Sequence, residues 1–288
     1  MKKIFYSQHY IDQIDKASVL KSLSSNKNIT SGKIQINFEN NFSKYVGSKY
    51  SLSCSSGTAA IDMAMNSIEL NKNDNVIIPA INFVAAANVC NQRGAKIFFA
   101  DVDPKTGQMT PETLIKCIKE NKIRKLKLFF SMYLGGAAKN IEGFSKIKKK
   151  YKSMWIEDAC HALGGNYFFK NKKYKVGNCK YSDISIFSLH PSKIITAGEG
   201  GVLTTNKKKF FMRAKNFRSH SMIKKIDKYN TFNFYEVYEP GNNYRISEIN
   251  CSLALSQLMK ISKFLKKRKE IVNYYKNELK YYKDYIEI

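Results

Sequence analysis

The chain has 288 residues, 43% of them hydrophobic, and carries 49 Lys+Arg against 23 Asp+Glu for a formal net charge of +26. That length can bury a sizeable core, no stretch reaches the ~18 consecutive apolar residues of a membrane span, and the start, Met1-Lys2-Lys3-Ile4-Phe5-Tyr6-Ser7 followed by Gln8-His9, lacks the apolar region of a signal peptide, so a cytoplasmic globular protein is expected. The lysines are spread along the whole length with no aromatic-interleaved basic motif, which argues for solvated helix faces rather than a nucleic-acid footprint, and six scattered cysteines without a Cys-x-x-Cys pair argue for reduced thiols rather than a zinc ribbon.

Two helices are predicted first, at Ile11–Leu23 and Ile34–Val46, joined by the polar stretch Ser24–Gly32. Residues 1–30 read as an amino-terminal helical arm and residues 31–245 as one large domain. Between residues 50 and 205, short β-branched or aromatic runs alternate with amphipathic segments of helical length. The strands are predicted at Tyr50–Ser53, Asn75–Ile78, Lys96–Ala100, Lys125–Phe130, Met154–Glu157, Asp183–Phe187 and Val202–Thr205. The helices between them are predicted at Thr58–Ile68, Val84–Gln92, Pro111–Glu120 and Ile141–Tyr151, the third opening on Thr110-Pro111, a capping hydroxyl followed by a first-turn proline. Such alternation predicts an α/β fold, a seven-stranded, mostly parallel sheet covered by helices, with ligands at the carboxyl ends of the strands. Residues 221–241 show weak periodicity, and Ile246–Leu279 reads as one lysine-rich helix opening a smaller domain at residues 246–288. The chain stops soon after that helix, so a shortened protein with an incomplete carboxyl-terminal domain is expected.

Three segments carry chemistry. Ser53-Cys54-Ser55-Ser56-Gly57-Thr58 follows a strand and opens a helix, where free backbone N–H groups attract anions; a phosphate could rest on Ser56, Gly57 and Thr58, although an ordinary serine cap has the same appearance. Neither a Walker loop nor a Gly-x-Gly-x-x-Gly fingerprint is present. Trp155-Ile156-Glu157-Asp158-Ala159-Cys160-His161 puts acids and a histidine at a strand end, where a buried Asp158 could hold a pyridine nitrogen protonated. A metal site with Asp158 and His161 completed by His190 or Glu199 is the competing reading. Lys193, in Ser188-Leu189-His190-Pro191-Ser192-Lys193 before Gly198-Glu199-Gly200-Gly201, stands where a Schiff-base lysine would stand, though any single lysine is ordinarily a solvated charge. Phe83, after Pro79, could stack on a planar ring or belong to the core.

In their order along the chain, Ser-Gly-Thr, Glu-Asp-Ala-Cys-His, His-Pro-x-Lys-x-x-x-x-Gly-Glu-Gly-Gly and Gly-Asn-Asn-Tyr-Arg-Ile-Ser-Glu (residues 241–248) resemble the DegT/DnrJ/EryC1/StrS family of sugar-nucleotide aminotransferases. The resemblance covers nearly the whole chain and implies a fold-type I enzyme using pyridoxal 5'-phosphate. It implies catalytic roles for Lys193, Asp158 and His161: covalent attachment and proton transfer by Lys193, pairing of Asp158 with the pyridine nitrogen, and Phe83 and His161 against the ring. Gly57, Thr58 and Ser188 would hold the phosphate, with Asn243 reaching over from the second subunit of a homodimer.

The dehydratase branch of that family has histidine where this chain has Lys193, so transamination is implied. The motifs Asp158–Gly164 and Tyr244–Asn250 are most similar to the branch acting on C4 of a UDP-4-keto-6-deoxy-N-acetylhexosamine, with glutamate as amino donor. Residues 131–140 depart from the family's usual Gly-Gln-Pro-x-Asp loop. A different keto nucleotide sugar is the alternative substrate, and a shortened, inactive or regulatory relative the alternative role.

Overall fold

Burial on both faces explains why the strands are short apolar runs. Strands β1 (Tyr50–Cys54), β2 (Asn75–Pro79), β3 (Lys96–Ala100), β4 (Leu128–Met132) and β5 (Met154–Asp158) enter one sheet; β6 (Asn166–Phe169) and β7 (Lys172–Lys175) form a separate hairpin; β8 (Ile184–Ser188) and β9 (Gly201–Thr205) complete the sheet. Its order is β1-β9-β8-β5-β4-β2-β3, and β9 alone runs antiparallel to its neighbours. The expected seven-stranded, mostly parallel sheet is therefore what the chain forms. The computed structural model describes residues 7–24, 29–224, 235–282 and 285–286. The polar stretch at 24–32, the weakly periodic segment 221–241 and the chain's closing residues thus lie partly outside the described residues.

Successive side chains of a strand point to opposite faces, and the core divides accordingly. Ile77, Phe129, Trp155 and Phe187 face one layer, while Val76, Ile78, Leu128, Phe130, Ile156 and Ile186 face the other. The helices are α1 (Gln13–Leu23), α2 (Lys33–Val46), α3 (Gly57–Ser67), α4 (Ala85–Gln92), α5 (Pro111–Glu120), α6 (Ile141–Tyr151), α7 (Lys208–Phe217), α8 (Glu248–Met259) and α9 (Ile261–Glu278). Apolar residues of α2, α5, α6 and α8 cover the first face; those of α3, α4 and α7 cover the second. A small two-stranded ribbon, β10 (Met222–Lys224) with β11 (Tyr235–Val237), stands apart from the sheet.

Two predicted elements are corrected and two were missed. Strand β4 starts at Leu128 rather than Lys125, because continuous burial begins there; the Lys-Leu-Lys alternation before it only imitates a strand. The helix expected over 246–279 is two helices that break at Lys260. The Lys260 ammonium lies 2.7 Å from the carboxylates of both Asp12 and Asp15, at the start of α1. Asp15, fully buried, also accepts hydrogen bonds from Ser256 and Gln257 of α8, so this buried charge is paired, as burial requires. Helix α7 and the β6–β7 hairpin were not predicted.

Candidate active site

Parallel strands deliver their carboxyl ends to one rim of the sheet, and there a cavity of about 390 Å³ opens, within the size range of small-molecule sites. Strand β4 contributes Met132, β5 contributes Asp158 and β8 contributes Ser188, while the start of α3, just after β1, supplies Ser56, Gly57 and Thr58. Lys193, His161 and Phe83 complete the grouping. Of the residues singled out from the sequence, only Asn243 stands elsewhere: it is exposed and bridges to Ser219.

The floor of the cavity is built for an anion. Ser56 caps α3 by accepting from the Ala59 N–H at 3.0 Å, leaving the Gly57 and Thr58 N–H groups with no acceptor among the described residues. Two free amides at a helix start, with the Ser188 hydroxyl opposite, suit a phosphate. A β-carbon at 57 would come within 3.1 Å of Ser188 Cβ, so Ser188 would have to give by a few tenths of an ångström to admit one. Gly201, at the start of β9, is still tighter: a β-carbon would lie 2.2 Å from the Ser56 carbonyl oxygen.

Asp158 is 3% exposed. Its carboxylate accepts from the Cys160 N–H at 3.2 Å and has no ion-pair partner among the described residues. A buried carboxylate facing a cavity and held in no ion pair suits a ligand that brings a protonated nitrogen. Lys193 is presented by a tight turn in which its N–H donates to the His190 carbonyl at 2.9 Å. The loop around it is closed at its base by Leu189 N–H to Gly200 and Ala197 N–H to Leu189, and Asn250 of α8 donates to the Ala197 carbonyl.

Burial, then the nearby Lys193 ammonium, holds the His161 imidazole below its usual range, with Asp158 opposing the shift. The cavity therefore favours the neutral form of the ring. Burial and Asp158 push the Cys160 thiol well above its usual value, which makes it an unreactive wall rather than a nucleophile. Phe83 is 72% exposed at the cavity mouth, so the core alternative for this ring is overturned.

Cys160, Ile61, Ala85, Met132 and Ser192 also line the cavity and were not singled out from the sequence; the place of Cys160 between Asp158 and His161 was the available signal. Beyond Lys193 and His161 the cavity continues into a larger groove of about 850 Å³, walled by Lys263, Lys267 and Arg268 of α9 and by Tyr10.

The family model described as DegT/DnrJ/EryC1/StrS aminotransferase family matches residues 9–287. The chain belongs to this family. Among DegT/DnrJ/EryC1/StrS relatives, it is 34% identical over 275 residues to the UDP-4-amino-4,6-dideoxy-N-acetyl-beta-L-altrosamine transaminase of Campylobacter jejuni strain 81-176, covering 96% of this chain and 69% of that protein. It is 36% identical over 272 residues to the transaminase of the same name from Helicobacter pylori, covering 94% of this chain and 68% of that one.

The solved structure of Helicobacter pylori PseC, described as an aminotransferase involved in the biosynthesis of pseudoaminic acid, superposes with a TM-score of 0.86 at 32% identity, covering 97% of this chain and 71% of that chain. As a member of the DegT/DnrJ/EryC1/StrS family the chain is an aminotransferase, and its cofactor is pyridoxal 5'-phosphate. The free amides of α3 and the unpaired Asp158 fit that cofactor's phosphate and pyridine nitrogen.

Proposed function

We propose that this aminotransferase moves an amino group from glutamate to C4 of a UDP-4-keto-6-deoxy-N-acetylhexosamine, in the cytoplasm, as a step in building nucleotide sugars for surface glycans. The observation that carries the substrate is the identity of 34–36% to two transaminases named for the 4-amino product of that sugar. The basic groove beside Lys193 supports it, since Lys263, Lys267 and Arg268 offer cations to a diphosphate. A GDP-linked sugar is the second reading, favoured by 28% identity to the GDP-perosamine synthase of Caulobacter vibrioides.

Pyridoxal phosphate, when bound, supplies an electron sink for the pair left on carbon as a proton departs. Everything else is done by the chain. The Gly57 and Thr58 amides and the Ser188 hydroxyl bind the phosphate, with Asn243 of a second subunit closing over it in a homodimer. Asp158 keeps a proton on the ring nitrogen, Phe83 and the neutral His161 hold the ring plane, and Lys193 Nζ anchors the cofactor covalently. Freed from that bond, Lys193 Nζ would carry the proton from the donor's α-carbon to the cofactor in one half-reaction and from the cofactor to C4 of the sugar in the other.

The test is direct. Protein loaded with pyridoxal phosphate and reduced with borohydride should carry a phosphopyridoxyl mass on the peptide containing Lys193, and Lys193→Ala should abolish both the mass and turnover. With glutamate as donor, mass spectrometry should detect an amino sugar from the UDP-4-keto substrate. Turnover of a GDP-linked keto sugar in its place would overturn the substrate assignment.

A further inference from the structure

Asp62 lies on α3 and does not line the cavity, yet its carboxylate receives hydrogen bonds from three residues on two other segments. Arg93, at the end of α4, donates to Oδ1 through Nε at 2.9 Å and Nη2 at 2.6 Å. Asn242 Nδ2 and Tyr244 Oη donate to Oδ2 at 3.3 and 2.9 Å. The node is packed as well as bonded: the Tyr244 ring meets Phe217 edge-on with centroids 6.1 Å apart, and the Arg93 guanidinium lies 5.4 Å over the same Phe217 ring.

Asn242 and Tyr244 flank Asn243. The backbone there is extended and clamped on both sides: Asn242 N–H donates to the Phe217 carbonyl, Tyr244 N–H to the Arg218 carbonyl, and Ser55 N–H to the Tyr244 carbonyl. In an extended segment alternate side chains point in opposite directions. With residues 242 and 244 drawn inward to Asp62, residue 243 is turned outward, where it is exposed. The Ser55 bond also ties this segment to the residue directly before the phosphate-binding turn of its own chain. One carboxylate thus fixes the outward presentation of Asn243 and links it to the helix that starts at Gly57.

We infer that Asp62, through Asn242 and Tyr244, is the positioning residue that aims Asn243 at the phosphate held by a second copy of the chain. This rests on the proposed placement of Asn243 over the partner's phosphate. Asp62 would then act on cofactor affinity in the neighbouring subunit without touching the cofactor, and the two sites of a dimer would share a rigid support.

The experiment compares affinity for pyridoxal phosphate with affinity for pyridoxal, which lacks the phosphate, in intact protein carrying Asp62→Ala, Tyr244→Phe or Asn243→Ala. Tyr244→Phe keeps the ring against Phe217 and removes a single hydrogen bond, so it carries the test should Asp62→Ala fail to fold. The expected result is a loss of about fivefold to tenfold in pyridoxal phosphate affinity for Asp62→Ala and for Tyr244→Phe, with pyridoxal affinity unchanged. An equal loss for both ligands, or no loss for either, overturns the inference. If Asn243→Ala itself leaves pyridoxal phosphate affinity at the wild-type value, the placement of Asn243 fails; if only Asn243→Ala weakens binding, the placement stands and the role of Asp62 fails.

Discussion

The Ile34 N–H donates to Glu248 Oε2 at 2.8 Å across 214 residues of sequence. Glu248 Oε1 takes two more amides of the same helix start, Gly32 and Gln35, each at 2.9 Å. Gly32 has no side chain with which to cap α2, so the first residue of α8 supplies the cap. A buried carboxylate serving three orphan N–H groups is well placed against the positive end of a helix. Glu248→Ala should destabilise the protein by about 2–4 kcal/mol, read as a lower denaturation midpoint, with Glu248→Gln losing less. Equal midpoints for all three proteins would refute the cap.

The phosphate-binding turn makes a second prediction. Gly57→Ala puts a β-carbon 3.1 Å from Ser188 Cβ, and separating the two lips of the cradle should weaken pyridoxal phosphate binding about tenfold. Equilibrium dialysis checks it. A variant that binds as tightly as the parent would show that the cradle has slack.

His161 reports the electrostatics of the cavity. In cofactor-free protein its imidazole should titrate below 6.5, as followed by NMR of the ring C–H groups, because burial and Lys193 both disfavour the charged form while Asp158 favours it. Lys193→Ala should move the midpoint up, and Asp158→Asn should move it further down. Shifts in the opposite sense would mean that the two neighbours do not act on this ring.

Glu157 supplies a stability prediction with a definite sign. Its side chain lies among Tyr133, which donates at 2.8 Å, and Ser185, and burial raises its carboxyl above 4.5 despite those bonds. The folded state therefore binds this proton more tightly than the unfolded chain does. Its contribution is full below pH 4.5 and is lost as pH rises through the folded-state value. The stability of Glu157→Gln minus that of the parent should grow over that window and then level off. A difference that is flat with pH would contradict the shift.

Much of this site could be read in the sequence because its parts are local. Asp158 and Ser188 end strands whose apolar runs locate them to within a residue, and the Ser56-Gly57-Thr58 turn lies between a strand and a helix that both have clear periods. What was not legible depends on distant partners or on lysine. Helix α7 begins in the run Lys207-Lys208-Lys209, which hides the helical spacing of Phe210, Ala214 and Phe217. The β6–β7 hairpin turns through Lys170 and Asn171, both at positive φ, without the Asn-Gly pair that usually marks such a turn. Lys260, where α8 and α9 part, finds its partners in Asp12 and Asp15 at the start of α1, and the Asp62 node draws on residues from three elements; no local pattern encodes either.

The pairing of β1 with β9 has a consequence for synthesis. Strand β1 is at the sheet's edge and its one neighbour is β9, so Tyr50–Cys54 leaves the ribosome long before anything exists for it to pair with. The turn at Ser56 is backed by Gly201, the first residue of that late strand. A nascent chain halted before Gly201 thus owns Ser56, Gly57, Thr58 and Ser188 but not the wall behind the turn. Until β9 has been made, Leu52 and the small-residue face of α3 lack that partner strand and are apolar surface that chaperones can recognise.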